Sequence, residues 1–343
     1  MTVATGTDRG RAPNIRDVAA LAGVSHQTVS RVLNDSASLR SATRERVEAA
    51  IRELGYRPNP AARALVTSRS RTIGVLSVES ASHYGPTTAI TSIEVAAREA
   101  GYRLSITNLT ATSPADIAGA IDYLLSQSVE ALVVIAPQVG VFEIIADLSV
   151  TVPLVTLESS GRDPRHSVSV DQIAGARLAT RHLIELGHTG IVHLAGPQDW
   201  IEAGARLRGF QEEMERAGLP ARAPLLGDWS AESGYLVGQE LVRDLDGVTA
   251  VFAGNDQMAL GLVHACREAG LAVPGDVSVV GFDDVPESAH YVPPLTTVRQ
   301  NFAELGRRAV AVLLAELGGG DASAHEPVPA ELVVRASTAP PER

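Results

Sequence analysis

The 343-residue chain contains no lysine, so its 29 basic side chains other than histidine are all arginine, which reads as codon bias rather than mechanism. The one cysteine, Cys266, rules out a disulfide framework and a cysteine-rich metal site. Its place in the helical stretch MALGLVHACREAG gives it a packing role. No apolar run approaches the roughly 18 residues that a membrane helix needs, so no membrane partner is expected. The opening MTVATGTDRGRAPN has charge and glycine where a signal peptide has its apolar stretch, which predicts a cytoplasmic chain with a loose tail over residues 1–13. A glycine-rich phosphate loop and a Gly-x-Ser-x-Gly elbow are also missing, and His182, His188 and His193 lack metal-ligand spacing. These absences argue against an enzyme and predict neither cofactor nor metal.

What is present is a charge asymmetry. The net charge of -11 argues against a nucleic-acid ligand for the chain as a whole. Yet residues 1–71 hold twelve Arg against six Asp and Glu, while residues 72–343 hold seventeen against thirty-four. A basic head is joined to an acidic body, and the 45% hydrophobic content is ample for buried cores in two or three domains.

The head has the pattern of three short helices. Ile15, Val18, Ala19 and Ala22 recur at helical spacing, Gly23 breaks the run, and Ser25 can cap a second helix that turns Val29, Val32 and Leu33 inward. Val47, Ala50, Ile51 and Leu54 mark a third. Two helices joined by a tight glycine turn, the second with a polar outer face, form a helix-turn-helix that places its second helix in the DNA major groove. That face offers His26, Gln27, Ser30, Arg31 and Asn34. Glutamine pairs bidentately with adenine and arginine with guanine, while serine and asparagine hold phosphates or base edges. A small helical bundle with a solvated face is the other reading of the pattern. After the head, Pro58 and Pro60 stop the third helix, and Ala61–Val66 can form only about two helical turns, too few to stand alone.

From Arg71 onward apolar strands alternate with amphipathic helices; TIGVLSV, ALVVIA, VPLVTL, IVHLA, TAVFA and VSVVGF are the clearest strands. This alternation predicts parallel sheets with helices on both faces, and the length suffices for two lobes. Ligands of open α/β sheets bind beyond the carboxyl ends of the strands. The polar residues there are Glu158 after VPLVTL, Asn255 and Asp256 after TAVFAG, Asp283 after VSVVGF, and Arg206 in the segment after IVHLA. Carboxylates, an amide and a guanidinium suit sugar hydroxyls through paired, charge-assisted hydrogen bonds. Asn255 can equally cap the following helix, Asp283 and Asp284 can bind backbone in a turn, and Trp200 can be a pocket wall or a loop anchor.

The stretches NIRDVAALAGVSHQTVSRVLND and TRERVEAAIRELGYRPNPAARAL resemble the DNA-binding head of the lactose repressor (LacI/GalR) family, and the likeness continues through GDWSAESGY, NDQMALG, VSVVGFDD and PPLTTVRQNF. It covers nearly all of the chain after about residue 13. The resemblance implies a helix-turn-helix domain over 14–58, a hinge helix or linker over 59–70, and a two-lobed periplasmic-binding-protein-like core over 71–343. The implied first lobe spans about 71–170 and 302–329, the second about 171–298 and 330–341. It further implies DNA contacts from Ser25, His26, Gln27, Thr28, Ser30, Arg31, Asn34, Thr43, Asn59, Ala62 and Leu65, with Leu65 wedged into a minor-groove base step. Effector contacts are implied for Glu158, Arg206, Trp229, Asn255, Asp283, Gln300 and Phe302, with Tyr84 and Trp200 as further pocket residues. The function implied is that of a cytoplasmic repressor that binds pseudo-palindromic operator DNA as a homodimer and is released by a small sugar or glycoside. Corepression by the ligand and a solute-binding protein without DNA function are the alternatives. The family's namesake carries a C-terminal leucine-repeat helix that joins two dimers; no heptad repeat follows VVRASTAP, so a dimer is the expected assembly.

Overall fold

Asn14 opens the first helix, α1 (Ile15–Ala22), through a capping box: its side chain accepts from the Arg16 and Asp17 amides while Asp17 accepts from the Asn14 backbone. Gly23 ends the helix in a left-handed conformation, φ 64°, which is what lets the chain turn sharply into α2 (His26–Leu33). Ser25 Oγ accepts from the Thr28 amide at 3.2 Å at the start of α2. With α3 (Ser41–Leu54), these helices enclose a core of Val18, Ala19, Ala22, Val29, Val32, Val47 and Ala50.

The computed structural model describes residues 13–33, 39–57, 69–78, 84–110, 112–136, 138–148, 150–160, 165–320 and 326–341. Asn34, Asn59, Ala62, Leu65 and most of the expected hinge, like the tail before Pro13, lie outside the described residues. The chain divides into two compact units, residues 1–70 and 71–343.

The second unit contains two sheets. In the first, β1 (Thr72–Val78), β2 (Arg103–Leu109), β3 (Ala131–Ile135), β4 (Leu154–Leu157) and β5 (Ser167–Val168) lie in the order β2-β1-β3-β4-β5, all parallel. Continuous apolar runs such as TIGVLSV are buried on both faces, as strands covered by helices must be. One face packs on α4 (Tyr84–Glu99) and α11 (Phe302–Leu317), the other on α5 (Pro114–Ser126) and α6 (Val139–Ala146).

The second sheet orders β6 (Ile191–Ala195), β7 (Leu225–Leu226), β8 (Ala250–Ala253), β9 (Ser278–Asp283), β10 (Thr296–Arg299) and β11 (Glu331–Val333) as β11-β10-β9-β8-β6-β7. Its cover is α7 (Gln172–Glu185) and α8 (Ile201–Arg216) on one face, and α10 (Asp256–Glu268), with α9 (Ala231–Leu241) packed against it, on the other. The two parallel sheets expected from the sequence are present, and the second carries one antiparallel edge strand, β11 on β10. The helix between β10 and β11, α11, packs on the first sheet and does not cover this one, so the two strands are not joined as a β-α-β crossover unit. Cys266 is fully buried on α10, in the packing role its sequence context gave it.

The chain passes between the sheets around residues 168–172, 299–302 and 326–331. Two of these crossings hold each other, with Val170 and Val328 forming a parallel bridge and the Asp171 amide donating to Val328 O at 2.9 Å. β1, β3, β4, β6, β8 and β9 all direct their carboxyl ends toward these crossings, and the site is built there.

Candidate functional site

Between the two sheets lies a cavity of about 770 Å³ counted out to its open mouth, solvent space included. Glu158, Arg206, Trp229, Asn255, Asp283, Gln300 and Phe302 all line it, as do Tyr84 and Trp200. Three polar lining residues, Ser169, Gln172 and Glu202, were not singled out from the sequence.

Gln172 completes a closed ring of polar contacts. Arg206 Nε donates to Gln172 Oε1 at 2.9 Å, Gln172 Nε2 to Gln300 Oε1 at 2.8 Å, and Gln300 Nε2 to Asp283 Oδ1 at 2.6 Å. Asp283 Oδ1 lies 3.5 Å from Arg206 Nη2 and closes the circuit. Arg206 Nη1 also donates to the Gly254 carbonyl, and the guanidinium lies over the Phe282 ring at 3.9 Å. The ring joins the starts of α7 and α8 to the ends of β9 and β10. Such a charge-assisted network holds the guanidinium in one orientation before any ligand arrives.

Backbone strain marks the same place. Asp283 has φ 109° and Trp229 φ 75°, conformations that non-glycine residues adopt only where the surroundings impose them. Trp229 also depends on Gly196: a Cβ there would lie 2.2 Å from an indole carbon. Asn255 both caps α10, its Oδ1 accepting from the Met258 amide at 2.9 Å, and holds Trp229, its Nδ2 donating to the Trp229 carbonyl at 2.9 Å. With its second amide proton on Gln257 Oε1, Asn255 has acceptor capacity left for a ligand rather than donors.

The aromatic lining comes from both lobes. Trp200 and Trp229 lie with ring centroids 5.6 Å apart on the second, and Tyr84 meets Phe302 edge-on at 6.0 Å on the first. Trp200 is a wall and an anchor at once, since its backbone also bridges Gln138 of the first lobe. One strand-end candidate, Asp256, and a neighbour of another, Asp284, point elsewhere. Asp256 accepts from Thr297 Oγ1 at 2.5 Å and the Val285 amide at 2.9 Å, so it staples α10 to the sheet and does not face the cavity. Asp284 pairs with Arg299 and Arg335, each at 2.6 Å.

Burial sets the protonation of the site. It pushes the Asp283 carboxyl up to about 6, against the pull of Arg206 and the Gln300 hydrogen bond. Burial also pushes Glu202 up to about 7, opposed by its own backbone amide and Arg206 and reinforced by Glu158. On β6, burial drives the His193 imidazole down to about 4. A carboxyl raised on folding contributes stability that is complete below its unfolded value, near 4, and is lost as pH rises through its folded value. A depressed histidine contributes stability above its unfolded value, near 6.5, and loses it as pH falls through the folded one. These carboxyls are therefore expected to lower the melting temperature of the ligand-free protein as pH rises from about 4 to 8, with His193 opposing the loss between about 4 and 6.5. Glu202→Gln should flatten that loss in calorimetric scans; an unchanged pH slope in that variant would contradict the assignment.

In the head, Ser25, His26, Gln27 and Arg31 are exposed, while Thr28, Ser30 and Thr43 are half-buried. The exposed residues sit at or just before α2, opposite the buried Val29 and Val32, and suit a surface that meets a macromolecule.

Residues 14–59 match the bacterial regulatory proteins, lacI family, and residues 180–338 match the periplasmic binding protein-like domain. The lactose operon repressor of Escherichia coli (strain K12) is 37% identical over 326 residues, 95% of this chain and 90% of that protein. The crystal structure of the lac repressor dimer bound to operator and the anti-inducer ONPF superposes with TM-score 0.84 at 36% identity, covering 96% of this chain and all of that one. A complex of the transcriptional regulator CelR with cellobiose gives TM-score 0.71 at 32% identity, covering 95% and 99%. With this likeness running through head and body together, the chain belongs to the lacI family of bacterial regulatory proteins.

Proposed function

We propose that this protein is a transcriptional repressor that binds operator DNA through α2 and releases it when a sugar or glycoside occupies the cavity. The observation that carries the reading is the cavity itself: a fixed guanidinium and carboxylates beside indole faces, joined in one chain to a helix-turn-helix. Carboxylates and guanidinium pair with hydroxyls, and aromatic faces cover the C–H surface of a sugar ring. The relatives named above include a lac repressor bound to operator as a dimer and a regulator bound to cellobiose. This chain is accordingly read as a cytoplasmic homodimer on two half-sites, with effector lobes at 71–170 plus 302–329 and at 171–298 plus 330–341.

The ligand acts by population shift. It can move the DNA-bound equilibrium only by its differential affinity for the two states, and a swing from 1:99 to 99:1 takes about 5.5 kcal/mol. The test is a thermal-shift screen of mono- and disaccharides, followed by operator titration with each hit. A hit should raise the melting temperature, change the indole fluorescence of Trp229 and weaken operator binding. Tightened operator binding would identify a corepressor, and no hit among saccharides would remove the sugar reading.

A further inference from the structure

Glu202 is a cavity carboxyl that the polar ring leaves out. It sits in the first turn of α8, four residues before Arg206, so both project from one face of the helix into the cavity. Arg206 is occupied by Gln172, Gly254 O and Asp283. Glu202 meets no side-chain hydrogen-bond partner among the described residues and is held only by its own backbone amide. Glu158, from the other lobe, accepts from the Ser160 amide on one carboxylate oxygen. Among the described residues, the cavity thus sets Glu158, Glu202 and Asp283 against a single guanidinium that Asp283 already faces. Trp229, 6% exposed, also lines the cavity, and its buried indole nitrogen meets no hydrogen-bond acceptor among the described residues.

Unused acceptor capacity on two carboxylates is the complement of hydroxyl groups, which can donate to them. An anionic group can only accept. It would meet two carboxylates in a partly desolvated cavity where like charges repel strongly. We propose that Glu202 contacts the effector directly and, with Glu158, makes the cavity select uncharged glycosides over acidic sugars. The proposal rests on the sugar reading above and narrows it. The charged groups facing Glu202 are Arg206 on its own helix, Glu158 from the end of β4 and, through Arg206, Asp283 from β9. Because burial lifts the Glu202 carboxyl to about 7, the discrimination deepens as pH rises from 6 to 8.

The experiment is calorimetric titration of the full chain with the 4-nitrophenyl β-glycosides of glucose, galactose and glucuronic acid, plus lactose and cellobiose. The glucuronide keeps its charge throughout this pH range. The better neutral 4-nitrophenyl glycoside is expected to bind at least about tenfold more tightly than the glucuronide at pH 8, with a smaller ratio at pH 6. Glu202→Gln should cut the ratio to a few-fold and leave only the smaller pH dependence that Asp283, lifted to about 6, adds at the low end of the range. A ratio unchanged by Glu202→Gln, or a glucuronide that binds the wild type as well as the neutral probes, overturns the proposal and leaves the sugar reading standing. If no neutral probe binds the wild type, the sugar reading fails and this proposal with it. Should Glu202→Gln not fold, the wild-type series decides, because a ratio constant from pH 6 to 8 is incompatible with Glu202 as the selecting group.

Discussion

In the Arg206→Ala protein, sugar binding is expected to disappear while the ligand-free chain still binds operator. The guanidinium is the hub of the cavity network, reaching Gln172, Gly254 O and Asp283 and covering Phe282. Alanine removes all of these at once and leaves Asp283, 7% exposed, without its counter-charge. Loss of one partner from a buried ion pair costs about 3–5 kcal/mol, and the stranded Asp283 carboxyl, already lifted to about 6, rises further and takes up a proton near neutrality. Affinity for any sugar should fall by more than about a hundredfold, because water cannot reproduce a fixed guanidinium fork. The head keeps its own core of Val18, Val29, Val32 and Val47, so operator binding persists as a constitutive, unresponsive repressor. Denaturation curves establish how much of the population is folded, and calorimetry on that fraction reads the affinity. Unchanged sugar affinity would take Arg206 out of the site.

The second large effect is expected on DNA. Gln27→Ala and Arg31→Ala should each weaken binding to the selected operator by about 1–3 kcal/mol, roughly 5- to 150-fold, with a much smaller loss on scrambled DNA. Both side chains are exposed on α2, so their removal leaves the head core intact and the loss reports contact rather than folding. The half-site is first selected from a randomised duplex library, and each variant is then titrated on selected and scrambled duplexes at one salt concentration. Equal losses on both duplexes would mean that these residues hold phosphate only. A repeat selection with His26→Tyr shows whether the first residue of the helix sets a base preference of its own.

Much of this protein was legible in one dimension, for a local reason. The head declares itself because helix period, glycine break and cap lie within a few residues of each other: Val18, Ala19 and Ala22 on one turn, Gly23 at its end, Ser25 at the next start. The central strands declare themselves because strands covered on both faces must be apolar throughout, as in TIGVLSV and IVHLA. From there, the rule that ligands bind beyond the carboxyl ends of parallel strands led to Glu158, Asn255 and Asp283 without coordinates. The edge strand β2 escaped because its residues alternate between exposed and half-buried and leave no continuous apolar run.

What the tertiary structure alone decided is how neighbours in sequence divide their labour. Asn255 and Asp256 are adjacent after the same strand, yet one lines the cavity and the other is turned inward to Thr297 and the Val285 amide. Asp283 and Asp284 part in the same way, one toward Arg206 and the other to Arg299 and Arg335. Gln172 gave no signal because an amide in the first turn of a helix is unremarked until Gln300, 128 residues away, is brought against it. Glu202 was hidden by a favourable local explanation, since an acid in the first turn of a helix complements the helix dipole wherever it occurs. The antiparallel edge β11 and the bridge between Val170 and Val328 are likewise pairings of distant segments. Sequence pattern fixes period and position along the chain, but which side chains meet in a cavity depends on crossings between the two sheets, and only packing the whole body determines those.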